Sequence, residues 1–325
     1  MKKLLSAIIV VLIFGTGCTQ KETEPEKTSP VDNTFRVIGY IHTTDNVATA
    51  LNAIDLSKLT HINIAFINPD AQGTLTGTAN LKAAADLLHS KGIKVMASIG
   101  GGNAPSYYSS FLTGEKQQKF IDELVKLAVD NNLDGIDVDL EGNLIDANYE
   151  SFVTALATAL RAQNKLVTAA IATVYAQNLT DKALSQFDFV NLMSYDKTGP
   201  WKPSEPGQHA PFEMAQTDLE YWTGTRGLAK EKITLGVPFY GYGFGAGAPE
   251  SMSFKDLVAF YPGAANIDMV NIAGGSFYYN GIPTIKKKTA LAVEKAGGIM
   301  IWQILQDAPV PYSLLNTIDA EIKAQ

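Results

Sequence analysis

The sequence predicts a closed barrel of eight parallel strands surrounded by helices, the (β/α)8 or TIM barrel. Eight short apolar runs recur between residues 36 and 304, and the segments between them have the composition and spacing of amphipathic helices. Strands that alternate with helices form a parallel sheet, and nearly continuous apolar strands indicate that both faces are covered. Eight repeats in one domain favour a closed barrel over an open sheet. The first strand also lacks the glycine-rich phosphate-binding turn of open dinucleotide-binding sheets.

The predicted elements follow this rhythm along the chain. The strands are expected at 36–42, 61–67, 94–101, 135–141, 166–172, 189–196, 233–240 and 298–304. The clearest helices are expected at 81–92, 118–132, 149–163 and 284–297. The stretch between the seventh and eighth strands, about residues 242–297, is short. We therefore expect a single domain without a large insertion domain, and a shallow, open cleft.

The N-terminus predicts export and a lipid anchor. Residues 1–18 have two lysines, an apolar run too short to span a bilayer comfortably, and an end of small residues, as secretory signals do. Cys18, the only cysteine, resembles the lipidation site of bacterial lipoproteins, although Gly15 stands where such sites usually have Leu. The alternative is an ordinary cleaved signal with an incidental cysteine. Residues 19–33 are polar and predict a flexible tether, so residues 34–325 are expected to be anchored to the cell envelope, at the outer membrane or cell surface.

The composition excludes several partners and cofactors. The 325 residues carry a formal net charge of −7, without a cluster of Lys and Arg, so we expect no nucleic-acid partner. The four histidines lack metal-ligand spacing, and we predict neither a metal nor another cofactor. The membrane is expected to be touched only through the N-terminal lipid, and the domain is expected to be monomeric.

The segment 135–141 alternates acids with large aliphatic residues. In a barrel strand one parity faces the interior and the other the helix layer. The aliphatic residues suit the helix layer, which places Asp137, Asp139 and Glu141 in a row inside the barrel, with Glu141 at the C-terminal end, where barrel active sites lie. Buried carboxylates this close cannot all ionise, so at least one pKa rises. Such an acid suits general acid catalysis, and the alternative is a structural cluster held by hydrogen bonds.

The motifs resemble one enzyme family over the whole domain. The stretch DGIDVDLE (134–141) is similar to the D-x-x-D-x-D-x-E signature of glycoside hydrolase family 18, the chitinases and endo-β-N-acetylglucosaminidases. Four more stretches resemble the family's motifs on the third, sixth, seventh and eighth strands, in the family's order: ASIGGG (97–102), NLMSYD (191–196), GVPFYG (236–241) and GGIMIWQILQD (297–307).

The resemblance implies a retaining, substrate-assisted hydrolysis, an exception to the usual scheme of two carboxylates. Glu141 would protonate the glycosidic oxygen and later act as base toward water. The substrate's 2-acetamido carbonyl would attack the anomeric carbon to form an oxazolinium ion. Asp139 would orient the acetamido N–H, Asp137 would share a proton with Asp139, and Tyr195 would hydrogen-bond the acetamido oxygen.

Further residues near the strand ends are predicted to bind the sugar or to support the acids. Trp302 would supply an apolar floor for a pyranose ring, whereas simple core packing is the alternative for both Trp302 and Tyr195. The predicted sugar-binding residues are Trp302, Asp196, Met193, Tyr40 and Tyr240. For Tyr40 and Tyr240 the alternative is also simple packing. The predicted supporting residues are Ser98, Gly100, Gly101 and Asp134.

The chain also departs from the family's pattern. Gly102 and Asn103 stand where many chitinases have a Trp, and Gln303 stands where many have a Glu. The predicted substrate is an oligo- or polysaccharide with β-1,4-linked N-acetylglucosamine, as in chitin. The alternatives are cleavage of the chitobiose core of N-glycans, by an endo-β-N-acetylglucosaminidase, and sugar binding without catalysis, by a lectin of this fold.

Overall fold

A computed structural model describes residues 34–43, 46–272 and 274–325. The signal of residues 1–18, the tether of residues 19–33 and the lipidation site Cys18 lie outside the described residues. Within them, eight parallel strands close into a barrel in the order β1-β12-β7-β6-β5-β4-β3-β2, which confirms the predicted fold class. The barrel strands are β1 Arg36–His42, β2 His61–Ala65, β3 Lys94–Gly100, β4 Gly135–Asp139, β5 Leu166–Ile171, β6 Phe189–Leu192, β7 Ile233–Pro238 and β12 Gly298–Trp302.

Helices connect consecutive barrel strands and cover the outside of the sheet. The helices are α1 Val47–Ala50, α2 Leu81–His89, α3 Gly114–Asp130, α4 Tyr149–Arg161, α5 Asp181–Gln186, α6 Phe212–Glu220, α7 Phe254–Phe260, α8 Ile282–Lys295 and α9 Leu314–Ala324. The side chains of Thr180, Ser253 and Ser313 accept hydrogen bonds from the first turns of α5, α7 and α9, which satisfies amides that have no partner within the helix.

The strands sort their side chains by parity, as predicted. On β4, Ile136 and Val138 belong to the large apolar core between the strands and the helices. Asp137 and Asp139 have the opposite parity and are buried inside the barrel. A smaller apolar cluster occupies the barrel interior and its mouth, and it contains Ile38, Tyr40, Ala65, Phe189, Tyr195, Ala210 and Met300. The alternation of acids and aliphatic residues on β4 is therefore explained by its two environments, the barrel interior and the helix layer.

The last residues of several predicted strands lie beyond the observed strands. The fourth strand ends at Asp139 and the sixth at Leu192. Glu141, Tyr195 and Asp196 are thus placed by the segments that leave the strands. At Asp196 the backbone adopts a positive φ of 61°, which turns the chain away from the strand direction. These residues remain at the C-terminal mouth of the barrel.

The stretch after β7 is short, and it has a small fold of its own. Its antiparallel strands β8 Tyr240–Phe244, β9 Ser251–Ser253, β10 Met269–Ile272 and β11 Gly275–Tyr278 pair in the order β10-β11-β8-β9. Helix α7 lies between β9 and β10 in the chain. This insertion carries Tyr240 and Tyr242 toward the barrel mouth. Among the described helices none is both long and apolar enough to cross a bilayer.

Candidate active site

Asp137, the lowest acid of the row, is enclosed by hydrogen-bond donors. Oδ2 accepts from Tyr40 Oη at 2.6 Å and from Ser98 Oγ at 2.7 Å. Oδ1 accepts from Thr168 Oγ1 at 2.6 Å and from Asn191 Nδ2 at 3.1 Å. Burial raises the pKa of Asp137, and these hydrogen bonds oppose the rise. Four donors from four different strands make this carboxyl group a fixed centre of the barrel interior.

Asp139, the middle acid, has a contrasting environment. Its side chain is 4% exposed, and Oδ1 is buried without a hydrogen-bond partner among the described residues. Burial, Glu141 and Asp137 all raise its pKa, well above the ordinary value. The sharing of a proton between Asp137 and Asp139 stays a prediction. Burial and the two neighbouring acids therefore favour the protonated form of Asp139, beside Glu141.

Glu141 lies two residues beyond β4, half-buried at the rim of the cleft. Burial, and then the nearby Asp196 carboxylate, raise the pKa of Glu141 to about 7. An acid with this pKa is partly protonated at neutral pH, and it can both donate a proton and accept one back. The arrangement suits one residue that serves as general acid and then as general base.

The third strand ends in glycines because backbone and aromatic groups approach it closely. Gly100 and Gly101 have φ angles of +99° and +87°, a region that glycine adopts without strain. A Cβ on Gly100 would lie 2.1 Å from the Asp139 carbonyl oxygen, and one on Gly101 would lie 2.5 Å from the Phe66 ring. Gly102 faces Glu141, since a Cβ there would lie 3.3 Å from Oε1. The glycines thus let β3 pass directly beside the acids.

A second group of polar residues approaches Glu141 from the loop after β6. Asp196 Oδ1 accepts hydrogen bonds from Tyr240 Oη at 2.5 Å and from His209 Nδ1 at 3.0 Å. Tyr195 is 9% exposed, and its hydroxyl lies 3.9 Å from Met300 Sδ. Burial, and then Asp139, raise the pKa of Tyr195, so its hydroxyl stays a hydrogen-bond donor.

Trp302, at the end of β12, belongs to an aromatic cluster beside the acids. Its ring centroid lies 5.6 Å from that of Phe66 with an interplanar angle of 27°, and 6.1 Å from that of His42 with an angle of 24°. Tyr40 meets the Trp302 ring edge-on at 5.6 Å. The rings form an apolar wall of a kind on which sugar rings stack.

An open cleft of about 890 Å3 begins at Glu141 and extends over the β5 and β6 loops. Among its lining residues are Met193, Tyr195 and Asp196, as predicted for a sugar site. Trp201 and Tyr242 line it as well. Trp201 is 54% exposed, and its ring meets that of Tyr242 edge-on at 5.1 Å. An exposed Trp thus lines the same cleft as Gly102, the position at which many chitinases have a Trp.

Three of the predicted residues are not among those that line the cleft. Tyr40 is 1% exposed and Tyr240 is 6% exposed, so neither lines the cleft, and their hydroxyls hold Asp137 and Asp196 instead. Asp134 precedes β4 at the opposite end of the barrel, where Oδ2 accepts from Val95 N at 2.7 Å and lies 2.7 Å from His89 Nε2. Asp134 therefore ties β3 to β4. Ser98 supports the acid row directly, through its hydrogen bond to Asp137.

Sequence reasoning missed several residues at the site. Phe66 follows a strand that has no recognised motif, and His209 lies 13 residues after its partner Asp196. Trp201 and Tyr242 come from separate loops. A short polar and aromatic stretch after the sixth strand was the one available signal for Trp201.

The comparisons with known proteins agree with the geometry. The chain is 37% identical to the family 18 chitinase ChiB of the chitin utilization locus of Flavobacterium johnsoniae, with a TM-score of 0.81 and coverage of 90% of this chain and 94% of that one. A chitinase from Bacteroides thetaiotaomicron is 28% identical, with a TM-score of 0.76 and coverage of 89% and 96%.

An endochitinase from Brugia malayi is 26% identical over an alignment 304 positions long, which covers 72% of this chain and 59% of that protein. The chain spans between 55% and 65% of the length of the first curated relatives that it matches. The model of glycosyl hydrolases family 18 matches residues 36–307, which include all eight barrel strands and every acid described above. The chain therefore belongs to family 18 of the glycosyl hydrolases.

Proposed function

We propose that this protein hydrolyses β-1,4-linked N-acetylglucosamine in chitin or chitooligosaccharides, with retention of the anomeric configuration. The single observation that carries the proposal is Glu141, whose pKa is raised to about 7 at the head of an open cleft. The names of the Flavobacterium and Bacteroides relatives, both chitinases, support the choice of substrate.

The proposed reaction needs one acid and a nucleophile from the substrate. Glu141 donates its proton to the glycosidic oxygen as the bond to the anomeric carbon breaks. The 2-acetamido carbonyl oxygen forms the new bond to that carbon, which yields an oxazolinium ion. Water then attacks the same carbon, and Glu141 accepts the proton from the water. Asp139 and Tyr195, both beside this position, would bind the acetamido N–H and carbonyl oxygen.

Other acids are poorly suited to be the nucleophile. Asp139 lies at the end of β4, only two residues before Glu141, and burial and its acidic neighbours raise its pKa. Asp196 Oδ1 is engaged by two donors. A carboxylate that attacks the anomeric carbon has to approach from the face opposite the acid, about 5–5.5 Å away in retaining enzymes of the two-carboxylate type. The acetamido group removes the need for such a residue.

A panel of substrates tests the proposal. We expect hydrolysis of chitotetraose, with the β-anomer as the first product in NMR, and no cleavage of cellotetraose or of fully deacetylated glucosamine tetramer, because neither carries the attacking carbonyl. A stable cyclic mimic of the oxazolinium ion should inhibit far better than N-acetylglucosamine. Cleavage of cellotetraose at a comparable rate would contradict the mechanism.

The same panel separates the two alternatives. Release of N-glycans from a high-mannose glycoprotein, without cleavage of chitotetraose, would favour the endo-β-N-acetylglucosaminidase. Binding of chitotetraose without any product would favour a lectin. The shallow cleft and the exposed Trp201 fit short, soluble oligosaccharides.

We also propose that Cys18 carries a lipid that anchors the exported domain to the cell envelope. The support is the basic and apolar pattern of residues 1–18 that ends at this cysteine. Cys18→Ala should move the protein from the membrane fraction to the soluble fraction. An unchanged fractionation would show that the cysteine is incidental.

A further inference from the structure

His209 is a buried histidine that approaches the acids from behind the cleft. It lies in the loop between β6 and α6, and its side chain is fully buried. Nδ1 is 3.0 Å from Asp196 Oδ1, and Nε2 is 3.3 Å from the Tyr240 carbonyl oxygen. No motif of the sequence includes this residue.

Both ring nitrogens of His209 face oxygen atoms that only accept hydrogen bonds. A neutral imidazole has one N–H, so its other nitrogen would point a lone pair at either the carboxylate or the carbonyl oxygen. The imidazolium form donates to both. A buried charge needs an opposite charge nearby, and the Asp196 carboxylate supplies it. The geometry therefore favours an ion pair.

The loop that carries His209 is fixed from several sides. Its carbonyl oxygen accepts from the Lys197 amide at 2.9 Å. The next carbonyl oxygen, of Ala210, accepts from Lys288 Nζ at 2.8 Å and from Asn280 Nδ2 at 2.9 Å. Lys288 is completely buried, and burial lowers its pKa to about 7. These hydrogen bonds fix the loop and thereby the position of the His209 imidazole.

Few charged or titratable groups surround this histidine. The rings of Tyr240 and Tyr242 lie 5.1 and 4.9 Å from the His209 ring, and burial raises the pKa of both phenols, so they stay neutral. Among the residues that the structure describes, Asp196 is the one carboxylate in hydrogen-bond contact with His209. Behind Ala210, the charged groups that act on Lys288 are Asp268, Asp218 and Glu213.

We propose that His209 is a positioning residue for the hydrolysis, the imidazolium counter-ion that fixes the Asp196 carboxylate beside Glu141 and screens its charge. The inference rests on the proposed function for its effect on catalysis. The negative charge of Asp196 raises the pKa of Glu141. A positive charge on the far side of Asp196 makes this rise smaller. Loss of His209 leaves Asp196 unscreened, so that Glu141 retains its proton to higher pH.

A measurement without activity tests the ion pair itself. Nitrogen NMR of the full chain, labelled with 15N in the histidine rings, reports the protons on each ring, and the His209→Gln variant assigns the signal. We expect both nitrogens of His209 to carry protons at pH 7, and one to lose its proton in Asp196→Asn. A neutral ring in the wild-type protein at pH 7 would overturn the proposal.

The pH profile of kcat/KM for chitotetraose tests the consequence. In His209→Gln the high-pH limb should shift to higher pH, by about half a pH unit or more, because the loss of a nearby cation raises the pKa of Glu141. In Asp196→Asn it should move down, because a nearby anion is lost. His209→Gln should add no shift in the Asp196→Asn background. The control is His89→Gln, which removes another histidine paired with an aspartate, at the opposite end of the barrel, and should leave the profile unchanged.

The outcomes separate the two proposals. A histidine that merely supported the loop would lower kcat/KM without moving the limb, or would move it down as Asp196→Asn does, and either result would refute the counter-ion. A wild-type chain that fails to cleave chitotetraose refutes the proposed function, while the NMR titration still decides whether His209 is the counter-ion of Asp196.

Discussion

Two aspartates flank Glu141, and the protein treats them in opposite ways. Asp139 approaches from below, on β4, with its side chain 4% exposed and Oδ1 unpartnered among the described residues. Asp196 approaches from the β6 loop, with its side chain 38% exposed and two donors on Oδ1. The environment of Asp139 raises its pKa, whereas the Asp196 carboxylate is held by two hydrogen-bond donors.

In the proposed mechanism, this difference would let Glu141 act first as an acid and then as a base. The charge of Asp196 helps to keep Glu141 protonated before the reaction. Asp139 is buried between Glu141 and Asp137, whose charges raise its pKa. In the proposed reaction, a protonated Asp139 would donate a hydrogen bond to the carboxylate that forms when Glu141 gives up its proton. One neighbour would then favour the acid form of Glu141, and the other would stabilise its base form.

The largest effect is expected from Glu141 itself. Glu141→Gln keeps the size of the side chain and removes the transferable proton, so kcat should fall by at least the roughly 10²- to 10⁴-fold that general acid catalysis contributes. Binding of chitotetraose, measured by calorimetry, should persist. A kcat within tenfold of wild type would show that another group is the acid.

Asp139→Asn should lower kcat/KM by about 10²-fold, the usual loss for one group that stabilises a transition-state charge. It should also stabilise the fold at neutral pH. The raised pKa of Asp139 means that the native state holds a proton which the unfolded state releases above about pH 3.9. Its contribution to stability is therefore complete below that pH and is lost as the pH rises.

Asparagine does not titrate, so the advantage of Asp139→Asn in urea unfolding should grow from pH 4 to pH 8. A constant difference across this range would mean that Asp139 is ionised in the native protein. Glu115→Gln, an exposed change in the first turn of α3, is a suitable control for the effect of removing one acid.

Asp196→Asn should have a smaller effect on rate, about tenfold, the value of one interaction of about 1.4 kcal/mol in the transition state. Its distinctive effect is on pH dependence. Without the Asp196 charge the pKa of Glu141 falls from about 7, so the high-pH limb of kcat/KM moves to lower pH. Asp139→Asn measured in parallel shows whether either aspartate controls this limb. If the high-pH limb does not move in Asp196→Asn, the charge of Asp196 does not raise the pKa of Glu141.

The contrast between the aspartates also separates what was predictable from what was not. The row Asp137, Asp139 and Glu141 lies in one strand, so local alternation and the barrel repeat sufficed to place it. The interaction of Asp196 with His209 and Tyr240 joins the β6 loop to the inserted sheet. Neither spacing nor periodicity encodes such a contact between distant segments.

The same limit explains why the contacts of Tyr40 could not be predicted. The sequence places Tyr40 on the first strand, but whether its side chain reaches sugar or acid depends on its height along the barrel axis. Tyr40 pairs in register with Asn63 on β2, below the mouth, and contacts Asp137. The inserted sheet was underestimated because its strands are only three to five residues long, too short for a clear period of two.

The smallest effect is expected at the base of the acid row. Tyr40→Phe removes one of the four donors to Asp137, and three remain to hold the carboxyl group. A hydrogen bond to a charged group contributes about 1.5–3 kcal/mol, so urea unfolding should show a loss at or below this range. Because Asp137 does not contact the cleft, kcat/KM should fall only a few-fold.

Tyr108→Phe is the matched control for this loss. Tyr108 is also completely buried, and its hydroxyl has no hydrogen-bond partner among the described residues. Removal of an unsatisfied hydroxyl should leave stability unchanged or raise it, since that group is desolvated without compensation. If Tyr40→Phe and Tyr108→Phe change the free energy of unfolding equally, the hydrogen bond to Asp137 adds nothing to stability. A large loss of stability for Tyr40→Phe alone would show that the hydrogen bond to Asp137 helps to hold the lowest acid of the row in place.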